Sequence, residues 1–187
     1  MRWLFPCLLA CVFVTGCQTP TPLDRASVFY DRATFPAKLQ QDTGAPDAPI
    51  LQHGRCELHL ATPGATRSTG GIFCTYALTE KTLLVQQWDI ANTRYTPLMR
   101  VDFAQLASVD LAFFGASKQV KMLEPQRLAG ISAIIDGGGR HDGEATERIF
   151  QAIKAQGVPT TGDNKILMAP APNTAPMMIP IIIPRTR

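Results

Sequence analysis

Short segments with alternating apolar and polar residues recur every eight to twelve positions between Arg55 and Asp136. They are rich in β-branched and aromatic residues, and turn residues such as Thr62-Pro63-Gly64 separate them. Regularly spaced short strands of this kind are typical of an all-β sandwich or barrel. The pattern predicts seven strands, near residues 55–61, 71–78, 82–89, 97–103, 107–114, 118–124 and 128–136.

A helical pattern follows the last strand. Asp142 can cap a helix at its N-terminus, and Gly157 lies just past its end. The apolar residues between them form one stripe: Ala145, Ile149, Phe150, Ala152 and Ile153. Such a helix is stable mainly through the surface that receives its stripe. We therefore predict a mainly β protein in which one amphipathic C-terminal helix, over residues 145–156, caps a seven-stranded barrel or sandwich.

The segments on either side of this region have a different composition. Residues 17–50 are rich in Thr, Pro, Ala and Asp, and they form either a tether or an arm folded onto the domain. Residues 158–187 contain six prolines, which are too many for a helix. We therefore divide the chain into a signal segment (1–16), a tether or N-terminal arm (17–50), a β domain (51–157) and a C-terminal tail (158–187).

The N-terminus has the pattern of a secretory signal. Arg2 precedes an apolar run that ends at Phe13 and is too short to span a membrane. The next residues, Val14-Thr15-Gly16-Cys17, resemble the lipobox of bacterial lipoproteins, whose cysteine is lipidated and becomes the first mature residue. The resemblance implies that lipidated Cys17 anchors the protein in the bacterial envelope. Gln18 in place of Asp implies an outer-membrane lipoprotein that faces the periplasm; the alternative is an ordinary secretory signal.

Charge and cysteine content narrow the classes of function. The chain has 18 Lys and Arg against 15 Asp and Glu, without a basic stripe, which argues against nucleic-acid binding. Loss of the signal segment and lipidation of Cys17 leave Cys56 and Cys74 in an oxidising compartment. If these two cysteines are paired across the first two strands, Leu58 also lies opposite Ile72. A disulfide is therefore favoured over two free thiols or an incomplete metal site.

The order of the elements resembles the pleckstrin-homology (PH) superfold and its GRAM relatives. The resemblance covers about residues 54–157 and includes the hairpin Tyr76–Leu84, the stretch Met99–Val109 and the closing helix. It implies a binding or scaffolding module. Members that bind phosphoinositides carry several basic residues around the first hairpin loop. Here that loop contains only Arg67, with Arg55 at its base, so we do not expect phosphoinositide binding.

No residues with catalytic or metal-ligand spacing are apparent in the sequence. His53, His59 and His141 fall on different predicted elements, without zinc spacing, and His141 is expected in a loop beside the helix cap. The acidic residues of the strands fall one to a strand, with no partner for acid–base catalysis: Asp89, Asp102, Asp110 and Asp136. We therefore predict no catalytic residue, no metal and no cofactor.

The C-terminal tail contains two apolar islands, residues 166–168 and 177–183. The second is too short to span a membrane, and it is expected to contact a partner protein, its own domain or lipid. The candidate contact residues are Met177, Met178, Ile179, Ile181, Ile182 and Ile183.

Taken together, these features predict a non-enzymatic envelope lipoprotein that acts as a binding or scaffold module for another envelope protein or a ligand. Two alternatives belong to other classes. One is an envelope hydrolase or peptidoglycan-acting enzyme that uses His141 with Asp142 or Asp136. The other is a carrier that holds a hydrophobic molecule inside its barrel.

Overall fold

Seven antiparallel strands form one sheet in the order β4-β3-β2-β1-β7-β6-β5, in a computed structural model that describes residues 29–169. Cys17 and residues 177–183 lie outside this part of the chain. The elements are α1 (Phe35–Thr43), β1 (Gln52–Ala61), β2 (Gly71–Leu78), β3 (Thr82–Asp89), β4 (Arg94–Asp102), β5 (Ser108–Phe114), β6 (Ser117–Glu124), β7 (Arg127–Ile134) and α2 (Gly143–Ala155). The predicted fold class, mainly β with one C-terminal helix, is confirmed.

Two strands begin three residues earlier than predicted. β1 starts at Gln52, where the polar sequence Gln52-His53 gives no alternating signal. β4 starts at Arg94 and includes Pro97, which lies opposite Gln86 at an irregularity in the register of β3 and β4. Proline lacks a backbone donor, but an edge strand such as β4 tolerates it. The hydrophobic pattern therefore missed the first three residues of each strand, because polar residues and proline interrupt the alternation.

One face of the sheet curls around a core that α2 covers. Asp142 caps the helix by accepting a hydrogen bond from the backbone N–H of Ala145 at 2.8 Å, and Ile149 and Ile153 are fully buried. Residues of the sheet complete this core with mainly Leu, Val, Ile and Met side chains. The interior is thus filled by the protein's own residues, and this gives no support to a ligand carried inside it.

The first hairpin has the predicted register. Cys56 lies opposite Cys74, and Leu58 lies opposite Ile72. The two cysteines form a disulfide, with their Cα atoms 4.9 Å apart, and both are fully buried. The bridge joins adjacent strands next to the center of the sheet.

The N-terminal part of the described chain folds onto the other face of the sheet. Phe35 and Leu39 of α1 are buried against Leu84 and Tyr95 of β3 and β4. Burial of such apolar side chains is worth roughly 1.5–3 kcal/mol each, so it fixes the short helix. Residues 29–50 are therefore an arm folded onto the domain, whereas the proposed tether before them lies outside the described residues.

The chain after α2 also crosses this outer face, as a segment that we call the strap (residues 158–169). Buried Asp110 of β5 accepts hydrogen bonds from the backbone N–H groups of Thr161 and Gly162, both at 2.8 Å. The side-chain amide of Gln119 pairs with the backbone of Leu167, at 2.7 and 3.2 Å. Leu167 is only 2% exposed. The first apolar island of the tail thus docks on its own domain.

Within residues 29–169, neither helix has the length and apolar character needed to cross a membrane.

Candidate functional site: a carboxylate–histidine cluster beside the strap

Two polar residues of β1 face away from the core. Successive side chains of a strand point to opposite faces, so Glu57 and His59 lie on the outer face while Cys56 and Leu58 are in the core. His59 has a glycine opposite it on each neighbouring strand, Gly71 on β2 and Gly130 on β7. A side chain at Gly71 would collide with Glu57 and crowd His59, and one at Gly130 would collide with Gln119, so the two glycines leave room for these polar side chains.

Glu57 connects two histidines from distant parts of the chain. Its Oε1 lies 3.2 Å from Nε2 of His59, and its Oε2 lies 2.8 Å from Nε2 of His141, which precedes the cap of α2. Each histidine contacts a serine through its other ring nitrogen. Ser68 Oγ lies 2.9 Å from His59 Nδ1, and Ser117 Oγ lies 3.1 Å from His141 Nδ1. We call these five residues the carboxylate–histidine cluster.

Charge fixes the direction of these hydrogen bonds. Hydrogen bonds from His141 and His59 lower the pKa of Glu57 to about 2, although burial opposes this change. The carboxylate is therefore ionised at neutral pH and can only accept, so each histidine donates from Nε2. In a neutral imidazole the remaining nitrogen, Nδ1, is an acceptor, and the serine hydroxyl donates to it.

A cavity of about 430 Å³ opens onto this cluster. Its polar lining includes Glu57, His59, Ser117 and His141, and its apolar walls include Phe114 and the end of the strap at Met168. Phe114 is 64% exposed and Met168 is 49% exposed. Mostly apolar concave sites with a few convergent polar groups, roughly 300–1,000 Å³ in volume, are typical of small-molecule binding.

A second cavity of about 340 Å³ lies on the other side of the strap. Lys121 lines it and forms an ion pair with Asp163 of the strap. Asp110 lines it too, but its carboxylate holds Thr161 and Gly162. These charges hold the strap in place, so we interpret this cavity as structural.

Both aspartates of the hydrolase alternative are engaged by groups other than His141. Asp142 is used as the cap of α2, and Asp136 forms an ion pair with Arg32 at 2.7 Å. His141 is instead bonded to Glu57 and Ser117. His53 lies elsewhere, near the arm, where it contacts the hydroxyl of Tyr30 at 2.9 Å. Burial lowers the pKa of His53, with a further contribution from Arg32.

The remaining strand aspartates have local structural roles. Asp89 accepts hydrogen bonds from the backbone of Ala91 and Asn92, and Asp102 accepts one from Ala104. Among residues 29–169, no three His, Cys, Asp or Glu side chains are placed to hold a metal ion.

Sequence reasoning missed the cluster. The alternation of Glu57 and His59 with buried Cys56 and Leu58 was the available signal, because it puts both polar residues on one face of β1. Ser117 and His141 are 24 residues apart, and only the tertiary fold brings them to that face.

Comparisons with known proteins concern the fold. No family model matches the chain, and the curated proteins include no match. The Slm1-PH domain in complex with inositol-4-phosphate is 13% identical with a TM-score of 0.39, over 59% of this chain and 97% of that one. The PDZ-RhoGEF DH/PH domains in complex with activated RhoA are 11% identical with a TM-score of 0.37, over 73% of this chain and 36% of that one.

Both of those solved structures contain a PH domain, the superfold whose order of elements the sequence resembles. At these identities and TM-scores the matches assign no ligand, partner or residue role to this chain. The fold class rests on the observed strand order and the closing helix.

Proposed function

We propose that this chain is a lipid-anchored protein of the bacterial envelope whose β domain is a binding module. The lipobox-like residues Val14-Thr15-Gly16-Cys17 support the anchor. In this proposal the module binds a small, partly apolar ligand in the cavity beside the strap, and the anchor keeps the module at the membrane.

One observation carries the binding function: the cavity joins exposed apolar walls to a polar floor. Phe114 and Met168 are large apolar side chains exposed on one concave surface. Exposed apolar surface around polar groups is a feature of binding sites. The floor contributes an ionised carboxylate and two histidines, which can orient a ligand through hydrogen bonds.

A photo-crosslinking experiment in intact cells tests this proposal. A benzophenone amino acid is placed at position 114, in the cavity wall, or at position 90, in the turn after β3. Phe114 and Ile90 are matched in exposure, at 64% and 65%. We expect an adduct of small-molecule mass at position 114 that is absent at position 90. Equal adducts at both positions, or none at position 114, would contradict the proposal.

A further inference from the structure

We propose that Ser117 is an activated nucleophile and that the cavity is an acyl-transfer site for a small ester. This inference rests on the proposed binding site and names the chemical class of its ligand. Ser117, His141 and Glu57 take the roles of nucleophile, general base and orienting carboxylate. The proposal shares His141 with the hydrolase alternative but replaces its aspartates by Glu57, because the structure uses Asp142 and Asp136 elsewhere.

The hydrogen bonds of His141 prepare it to act as a base toward Ser117. Glu57 accepts from Nε2 of His141 at 2.8 Å, which fixes the tautomer and leaves the lone pair of Nδ1 directed at Ser117 Oγ, 3.1 Å away. A serine is a weak nucleophile until an adjacent base removes its proton, and a third group that orients the base completes this arrangement. The three side chains also line the cavity, so a bound ligand can reach them.

The other serines near the cluster lack this combination. Ser68 is hydrogen-bonded to His59, but it is 4% exposed and does not line the cavity. Ser132 lines the cavity, but its hydroxyl donates to the backbone carbonyl of Lys118 at 2.8 Å. Only Ser117, among these three, has both a histidine acceptor and access to the cavity.

The chemical step needs no co-reactant other than water. Ser117 Oγ forms a bond to the carbonyl carbon of the ester, and the hydroxyl proton moves to Nδ1 of His141. The carbon–oxygen bond to the alcohol then breaks, and the departing oxygen takes that proton. Water then attacks the acyl-serine and gives a proton to His141, the bond between the acyl carbon and Oγ breaks to release the acid, and His141 returns the proton to Ser117 Oγ.

Labelling with an alkyl fluorophosphonate, which reacts with activated serines, tests this inference on the purified mature protein. We expect peptide mass spectrometry to find the label on Ser117. His141→Gln should slow labelling about 100-fold, as expected for loss of a general base. Ser117→Ala should abolish it. Ser108→Ala, which removes a serine hydroxyl outside the cluster in the second cavity, is the matched control and should label at the wild-type rate.

A second measurement keeps the inference testable if a variant folds poorly. Ser117→Cys keeps a nucleophile at this position, and iodoacetamide should alkylate it at least about tenfold faster than in the Ser117→Cys/His141→Gln double variant. An unlabelled Ser117 in the folded wild type, or equal rates with and without His141, would overturn the inference.

The crosslink at position 114 separates this inference from the proposed function. That crosslink requires only that a ligand occupies the cavity, not that Ser117 attacks it. An adduct at position 114 with no labelling of Ser117 overturns acyl transfer alone. If neither the adduct at position 114 nor the label on Ser117 is found, the cavity is not a binding site.

Discussion

At the scale of single residues, Glu57 holds together more of the outer face than its local sequence predicts. Its carboxylate is 18% exposed and accepts hydrogen bonds from two histidines, which themselves reach the β1–β2 loop and the start of β6. Hydrogen bonds that involve a charged group are stronger than neutral ones, typically about 1.5–3 kcal/mol each. Through these two histidines, one side chain connects β1 and its following loop with the start of β6 and the start of α2, which are far away in the chain.

This arrangement predicts a specific dependence of stability on pH. The pKa of Glu57 falls from 4.5 to about 2 on folding. Its stabilisation, on the order of 3 kcal/mol, is therefore complete above about pH 4.5 and is lost as pH falls toward 2. Glu57→Gln should lower the free energy of unfolding at pH 7 and reduce its decline between pH 4.5 and 2. Urea unfolding across this range measures both effects.

Glu144→Gln is the matched control for this experiment. The Glu144 side chain is 92% exposed at the start of α2. Its substitution should leave the pH dependence of the wild type almost unchanged, because its exposed ion pair with Arg148 contributes little to stability. If Glu57→Gln and Glu144→Gln give the same pH dependence, Glu57 does not hold the cluster together.

At the scale of elements, the first hairpin combines a paired register with a disulfide. Cys56 and Cys74 are separated by 18 residues, and a crosslink that closes a loop of about this length stabilises a protein by about 3 kcal/mol. Reduction should therefore lower the free energy of unfolding by about this amount, as measured by urea unfolding with and without reductant.

Mass spectrometry under non-reducing conditions provides the check on this pairing. The mature protein should yield one peptide pair joined through Cys56 and Cys74. Two free thiols in the folded protein would contradict the pairing, and an unchanged unfolding midpoint after complete reduction would contradict its contribution to stability.

The sequence predicted the strands and α2 because their side chains repeat with a clear period. It did not decide α1, because residues 35–39 fit either a short strand or a Pro-started helical turn, and the burial of Phe35 and Leu39 depends on a surface built by β3 and β4. It did not predict the strap either. Asp110 and Gln119 hold that segment by hydrogen bonds, although they precede it by about 50 residues in the chain. Contacts of this kind have no local periodicity, so only the folded structure contains them.

At the scale of the whole molecule, the folded domain occupies the middle of a chain that has a candidate membrane anchor before it and an apolar island after it. The proposed location rests on local sequence alone, the lipobox-like residues 14–17, because the enzymes that process bacterial lipoproteins recognise a short segment. The candidate site could not be predicted in the same way. Its floor brings Glu57, Ser117 and His141 together through the packing of β1, β6 and the start of α2.

The proposed lipid anchor can be tested independently of the candidate site. Cys17→Ala should move the protein from the membrane fraction to the soluble fraction, because each buried methylene of an acyl chain contributes about 0.8 kcal/mol to membrane binding. Gln18→Asp should stay membrane-bound but leave the outer-membrane fraction. Fractionation and immunoblotting measure both. Membrane attachment of Cys17→Ala would contradict lipidation at this residue.

The central claim, that the cavity beside the strap holds a ligand, is tested most directly by native mass spectrometry of the protein purified from the cells that naturally produce it. We expect the wild type and Ile90→Asp to carry the same additional small-molecule mass. Phe114→Asp should lack it, because a charge then replaces an apolar wall of the cavity. The same mass in all three proteins, or no additional mass in the wild type, would contradict the account.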